Sequence, residues 1–217
     1  MKKKIVTLLL CAAIGIGAAA GCGKTPAKEL PKDSVAAAIT VDEKSLPPLQ
    51  EDLQQLYEGA YKIYYQISFG VFDYDTDATL EKNELTYYKI TDPRFPTYDD
   101  FRTYLLQYFT ELFVDSRILS KDNLMFTEGE DGSLYYLGGG RGSNILYAGH
   151  TFTMDKEDDD EIGFRATAYY TNNKETYAGD YFYTVPKDLE NYTTQDFLFI
   201  LWKEEAGWRF NTFYLFF

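Results

Sequence analysis

The sequence predicts an α+β fold in which N-terminal helices pack on a curved antiparallel sheet. Three observations carry this. Apolar residues recur at helical spacing through residues 49–68 and again after Pro96. From about residue 122 onward the period shortens to two. Helical segments first and alternating strands afterwards place the helices together on one face of the sheet.

The leading segment lies outside that fold. Met1 is followed by Lys2, Lys3 and Lys4, then an apolar run from Ile5 to Ala20, then Gly21-Cys22-Gly23. A positive start, a short apolar stretch and small residues before a cut site describe a secretory signal peptide over residues 1–21. The run is shorter than the roughly 20 residues a spanning helix needs. A cysteine directly after Ala19-Ala20-Gly21 resembles the bacterial lipobox, in which that cysteine becomes the acylated N-terminus. Cys22 is therefore expected to carry lipid and to hold the chain on the extracytoplasmic face of a membrane, the bilayer being its first partner. Cys11 leaves with the signal, so the mature chain has no internal disulfide. Residues 22–48 lack aromatic side chains and read as the lipidated cysteine plus a flexible tether. Residues 49–217 form the single domain.

Within the domain, Leu49, Leu53, Leu56, Tyr57, Ala60, Tyr64 and Ile67 line one face of a helix that ends near Gly70. A second helix starts after Pro96 with Thr97 as its cap and Asp100 three residues on. Phe101, Tyr104, Leu105 and Tyr108 share a face, and a shorter helical stretch covers 111–119. Asp131-Gly132 marks a hairpin between 124–128 and 133–137. Residues 144–154 alternate, with Leu146, Ala148, His150, Phe152 and Met154 on one face. Ile162, Phe164, Ala166 and Ala168 do the same in 161–170. The acidic run Asp155-Lys156-Glu157-Asp158-Asp159-Asp160-Glu161 reads as the turn between these two strands. Segments 177–185, 197–203 and 208–214 supply the remaining strands, the last two joined around Gly207.

The order of elements resembles the cone-shaped fold of nuclear transport factor 2-like proteins. The stretch Phe101-Arg102-Thr103-Tyr104-Leu105-Leu106-Gln107-Tyr108-Phe109-Thr110, then Asp131-Gly132-Ser133-Leu134-Tyr135, then Arg141-Gly142, looks more narrowly like the IseA-type inhibitors of peptidoglycan DL-endopeptidases. The resemblance spans residues 98–217. It implies an exported, non-enzymatic protein that binds and restrains cell-wall hydrolases, and it assigns no functional position residue by residue. A binding module for a small ligand or wall glycan inside the cone is the alternative.

Charge narrows the partners. Loss of residues 1–21 reduces 21 basic residues to 18 against 34 acidic ones, a net −16. Such a field repels nucleic acid and anionic head groups and favours cationic partners. Thiol catalysis is excluded once Cys22 is acylated. His150 is the only histidine, and no serine stands in a Gly-x-Ser-x-Gly elbow. His150 is either a hydrogen-bonded core histidine or a ligand-binding group at the mouth of the cone, where an isomerase or hydrolase would also use it. Arg141, at the tip of the loop Gly138-Gly139-Gly140-Arg141-Gly142-Ser143, is a candidate contact for a protein partner. The acids Asp155, Glu157, Asp158, Asp159, Asp160 and Glu161 either form a solvated hairpin tip or dock on the basic surround of a hydrolase cleft. Finally, Asp73, Asp75, Asp77, Thr79 and Glu84 stand at the spacing of an EF-hand-like loop, with Ala78 where glycine is usual. They read as a weak calcium site or as an acidic solvated loop.

Overall fold

The computed structural model describes residues 30–32, 34–172 and 179–217. Residues 1–29, with the signal segment and Cys22, lie outside the described residues. The chain is α+β, as its order of helical and alternating segments predicts. The first long element is α1, Glu51–Phe69. Glu51 and Asp52 in its first turn oppose the positive end of the helix dipole. Leu53, Tyr57, Ala60, Ile63 and Ile67 make the buried stripe. The helix stops at Gly70, which is left-handed at φ 64°. There Val71 N–H donates to the Gln66 carbonyl and Gly70 N–H to that of Ile67, closing the last turn.

Helix α2 spans Tyr98–Leu105. Thr97 Oγ1 accepts from the Asp100 N–H at 3.1 Å and donates to the Asp100 carboxylate at 2.6 Å. Phe101 and Leu105 turn inward. After a break, Thr110 caps the single turn α3, Glu111–Phe113, which runs on into a wider π-type turn over Val114–Ile118.

The strands form two antiparallel sheets of four, where the sequence predicts one. The first contains β1 (Tyr74–Lys82), β2 (Leu85–Ile90), β3 (Phe126–Glu128) and β4 (Leu134–Tyr136), in the order β1-β2-β4-β3. The second is a meander of β5 (Tyr147–Glu157), β6 (Glu161–Thr171), β7 (Tyr192–Glu204) and β8 (Gly207–Thr212). Its inner face carries Phe164, Ala166, Phe199, Leu201 and Phe210, all fully buried. Tyr57 of α1 lies against this face, its ring centroid 6.1 to 6.2 Å from those of Phe152, Phe164, Phe199 and Phe210. A second group, Phe72, Phe95, Phe101, Phe126 and Tyr136, joins α2 to the smaller sheet, and both groups belong to one continuous core. Tilted and edge-on ring contacts of this kind add to simple area burial, in a core that has no disulfide to help it. Among the described residues no helix is long and apolar enough to cross a membrane.

Four expectations are corrected. The acidic segment 73–84 is not a wrapped loop, because β1 runs through it paired to β2. Thr76–Ala78 form a bulge, Asn83 and Glu84 (φ 52° and 63°) make the two-residue turn, and Tyr87 and Ile90 of β2 are buried. An extended chain sends alternate side chains to opposite faces, which is the opposite of encircling an ion. The turn expected over 155–161 is shorter, since β5 extends to Glu157 and only residues 158–160 reverse the chain. The pairs Arg165–Asp155 (2.8 Å) and Lys156–Glu161 (2.9 Å) let those charges lie along the hairpin. No strand covers the described part of 177–185. It contributes one bridge, Gly149 to Phe182, with His150 N–H donating to the Phe182 carbonyl at 3.1 Å; residues 177 and 178 lie outside the described residues.

The fourth correction matters most for function. The tether assigned to residues 22–48 is folded against the domain from Ser34 onward. Ser34 and Ala36 are buried, and the Ser34 hydroxyl donates to Asp73. Ser34 caps a 3-10 turn at Val35–Ala38, and Asp42 caps another at Glu43–Ser45. Short polar caps, rather than aromatic anchors, organise this strap.

Candidate functional site

The strap, the start of β5, the segment at 181–183, the C-terminal Phe216-Phe217 and one face of α1 enclose a cavity of about 450 Å³. That size falls in the usual range for small-ligand sites. Two local features build its walls. Gly149 has φ 146°, and a Cβ there would stand 2.4 Å from the Phe182 carbonyl oxygen. Only glycine lets residues 181–183 lie this close to the edge of β5. Across the cavity, the Tyr183 hydroxyl donates to the Asp42 carboxylate at 3.1 Å, tying that segment to the strap.

His150 projects from β5 into this space and is only 4% exposed. Its Nδ1 lies 2.6 Å from the Tyr147 hydroxyl, while its Nε2 has no hydrogen-bond partner among the described residues. The Ser45 main chain is near enough to favour the proton slightly without reaching hydrogen-bond geometry. Burial dominates and pulls the imidazole down to about 4. Phe152 and Phe216 pack edge-on against it, each 4.7 Å between centroids. Burial also raises the hydroxyls of Tyr57, Tyr61 and Tyr147, so all three are neutral. Tyr183 is pushed up to about 12, first by burial and then by its bond to Asp42. Asp42 is lowered, mainly by the Lys44 N–H and also by Tyr183. Among the described residues the cavity wall holds no lysine or arginine, and Asp42 is its one acidic side chain.

Chemically, this arrangement has room for a small ligand between rings, with a few oriented polar groups at hand. A base as weak as this imidazole drives proton abstraction poorly at neutral pH. Its Nδ1 faces a phenol where a catalytic dyad has a carboxylate.

The other predicted positions are dispersed. Arg141 stacks its guanidinium over Phe69 at 4.8 Å and donates to the Leu215 carbonyl at 3.1 Å. It braces the glycine-rich loop instead of extending as a free tip. The acids of the β5–β6 hairpin lie seven residues along β5 from His150, roughly 23 Å at strand spacing. Asp155, Asp158 and Glu161 are engaged with Arg165 and Lys156, whereas Glu157, Asp159 and Asp160 form no ion pair among the described residues. Asp73 accepts from Ser34, Asp75 from the Asp77 N–H at 2.9 Å, and Glu84 lies in the turn beyond Thr79. Among the described residues no three His, Cys, Asp or Glu side chains group to hold a metal ion.

Asp42, Tyr61, Tyr183 and Phe217 were not legible as site residues from sequence. The one local signal was Asp42 as a cap, two residues before Lys44, whose N–H it accepts at 2.9 Å. No protein-family model matches the chain, and no curated protein is significantly similar to it.

Proposed function

We propose that this chain is an exported, lipid-anchored binding protein whose aromatic cavity takes a small organic ligand. The observation that carries the reading is His150 Nε2, a buried polar atom without a partner among the described residues, on a side chain that lines that cavity. A buried acceptor or donor without a partner costs roughly 1–3 kcal/mol, and a ligand that satisfies it recovers that cost on binding. The Lys-rich start, apolar run and Cys22 support export and acylation. The test is a melting screen of the full chain against metabolites and wall fragments, repeated on Ile145→Trp. Ile145 is 61% exposed at the cavity mouth, so the substitution obstructs the cavity without burdening the core. A stabilising compound whose effect disappears in Ile145→Trp supports the reading; equal shifts in both proteins sink it.

A second reading, inhibition of a peptidoglycan endopeptidase, has the family resemblance and one observation of this chain in its favour. Glu157, Asp159 and Asp160, exposed at a hairpin end and without an ion pair among the described residues, suit a basic surface and would steer association. Replacing these three with Gln or Asn should weaken capture of purified wall endopeptidases and restore wall lysis in a turbidity assay. Unchanged inhibition removes this reading and leaves the cavity reading intact.

A further inference from the structure

Resting on the cavity reading above, we infer that the ligand is an organic ammonium ion bearing at least one N–H. Tyr57, Tyr61, Tyr147, Tyr183, Phe216 and Phe217 line the cavity, and among the described residues Asp42 is its one acidic side chain. Electron-rich ring faces attract cations, tyrosine faces among them. Among the described side chains the one formal charge on the wall is negative, and the whole chain carries −13. An anion entering here meets Asp42, and among the described residues no lysine or arginine lines the wall to offset it. An ammonium group meets ring faces, Asp42 and a favourable long-range field.

His150 adds the requirement for an N–H. When Nδ1 carries the proton and donates to the Tyr147 hydroxyl 2.6 Å away, Nε2 keeps a lone pair with no partner among the described residues, although the nearby Ser45 main chain favours a proton on the ring. A protonated amine donates to that lone pair, and a quaternary ammonium has nothing to donate. The imidazole is neutral at physiological pH, so it accepts without repelling the cation. The opposite tautomer would offer an N–H to a carbonyl instead, which makes a neutral N-acetyl sugar the sharpest competitor. The ring cage and Asp42 favour the amine.

Calorimetric titration of the full chain with n-butylammonium, tetramethylammonium, 1-butanol, acetate and N-acetylglucosamine tests this directly. Butylammonium should bind at least roughly tenfold more tightly than butanol, as cation–ring attraction implies. It should also bind more tightly than tetramethylammonium, and acetate should not bind. Asp42→Asn should weaken butylammonium roughly fivefold, the effect of one charge at a wet rim. Tyr183→Leu should weaken it roughly three- to thirtyfold and Tyr183→Phe less, because the ring is kept. Ile145→Arg places a cation at the mouth and should abolish binding. In His150→Phe the preference for butylammonium over tetramethylammonium should disappear. Butanol binding as well as butylammonium, acetate binding, or N-acetylglucosamine binding while the amines do not, each overturns the inference. In the sugar case the ligand class fails while the cavity remains the binding site.

Discussion

Replacing His150 with Gln should flatten the dependence of stability on pH between 7 and 5. Burial holds the folded imidazole near 4, against 6.5 when it is free. At about 1.4 kcal/mol per pH unit, that difference is worth about 3 kcal/mol in total. The unfolded chain takes up a proton near 6.5 and the folded chain only near 4. The native state therefore holds its full advantage above 6.5 and loses it as pH falls toward 4. By pH 5 about 2 kcal/mol of it should be gone. The groups packed around the ring do not titrate in this window, since Tyr147 and Tyr183 are raised and Asp42 is lowered. The lowered carboxylates elsewhere act in the same direction but at lower pH. Asp131, for example, is held at about 2, chiefly by the Ser133 hydroxyl and N–H with help from Lys89, and loses its contribution only below 3.8. Gln keeps a polar group beside the Tyr147 hydroxyl, so any constant cost of the substitution cancels when slopes are compared. Urea unfolding of both proteins at pH 7, 6 and 5, with matched m-values, measures the slopes. Parallel stability curves for the two proteins over that range would refute a neutral, desolvated His150.

Three further outcomes follow from particular contacts. Asp92→Asn leaves Arg94 buried without its counter-charge, because Arg94 now places Nη2 2.7 Å and Nε 3.0 Å from that carboxylate. Breaking a buried pair from one side should cost roughly 3–5 kcal/mol, read as a lower urea midpoint. Gly149→Ala should cost roughly 2 kcal/mol or more and free the 181–183 segment, because its Cβ would collide with the Phe182 carbonyl. Faster proteolysis within 172–185 checks the second half of that statement. Cys22→Ala should release the protein from membranes into the soluble extracytoplasmic fraction, and mass spectrometry of the native chain should find residue 22 acylated at the new N-terminus. An intact leader, or a free thiol at Cys22, contradicts the anchoring scheme.

Local chemistry made part of this fold readable in advance. The stripe of α1 and its stop at Gly70, the Thr97 cap with Asp100, and the Asp131-Gly132 hairpin each depend on residues a few positions apart. The β1–β2 hairpin escaped notice for a physical reason as well. Its acids sit at the spacing of an ion-binding loop, and its turn uses Asn83-Glu84 where Asn-Gly is the familiar signal. The favourable evidence lay in the next strand, where Thr86, Tyr87, Tyr88 and Ile90 suit a half-buried pleat. The strap was missed because low aromatic content suggests disorder, yet two short caps and a buried Ala36 are enough to dock it on a surface that already exists. His150 shared its strand with apolar neighbours, which left a core role and a cavity role open. It is both buried and cavity-lining.

The cavity itself lies beyond the reach of local pattern because every wall comes from a different part of the chain. Asp42 and Tyr183 meet across 141 residues of sequence. Tyr57 belongs to the buried stripe of α1, and half-buried Tyr61 stands one turn further on beside it. Tyrosine reconciles these demands: its ring packs with Phe199 and Phe213 as any core residue would, while its hydroxyl keeps one edge of the same core polar. A phenylalanine-only core would close tightly and leave nothing for a ligand to find. A core with charged groups at these positions would need partners that the surroundings do not offer. Tyr57 and Tyr61 of α1 and the His150 nitrogen that has no partner among the described residues meet at the same place, where the aromatic interior borders the strap.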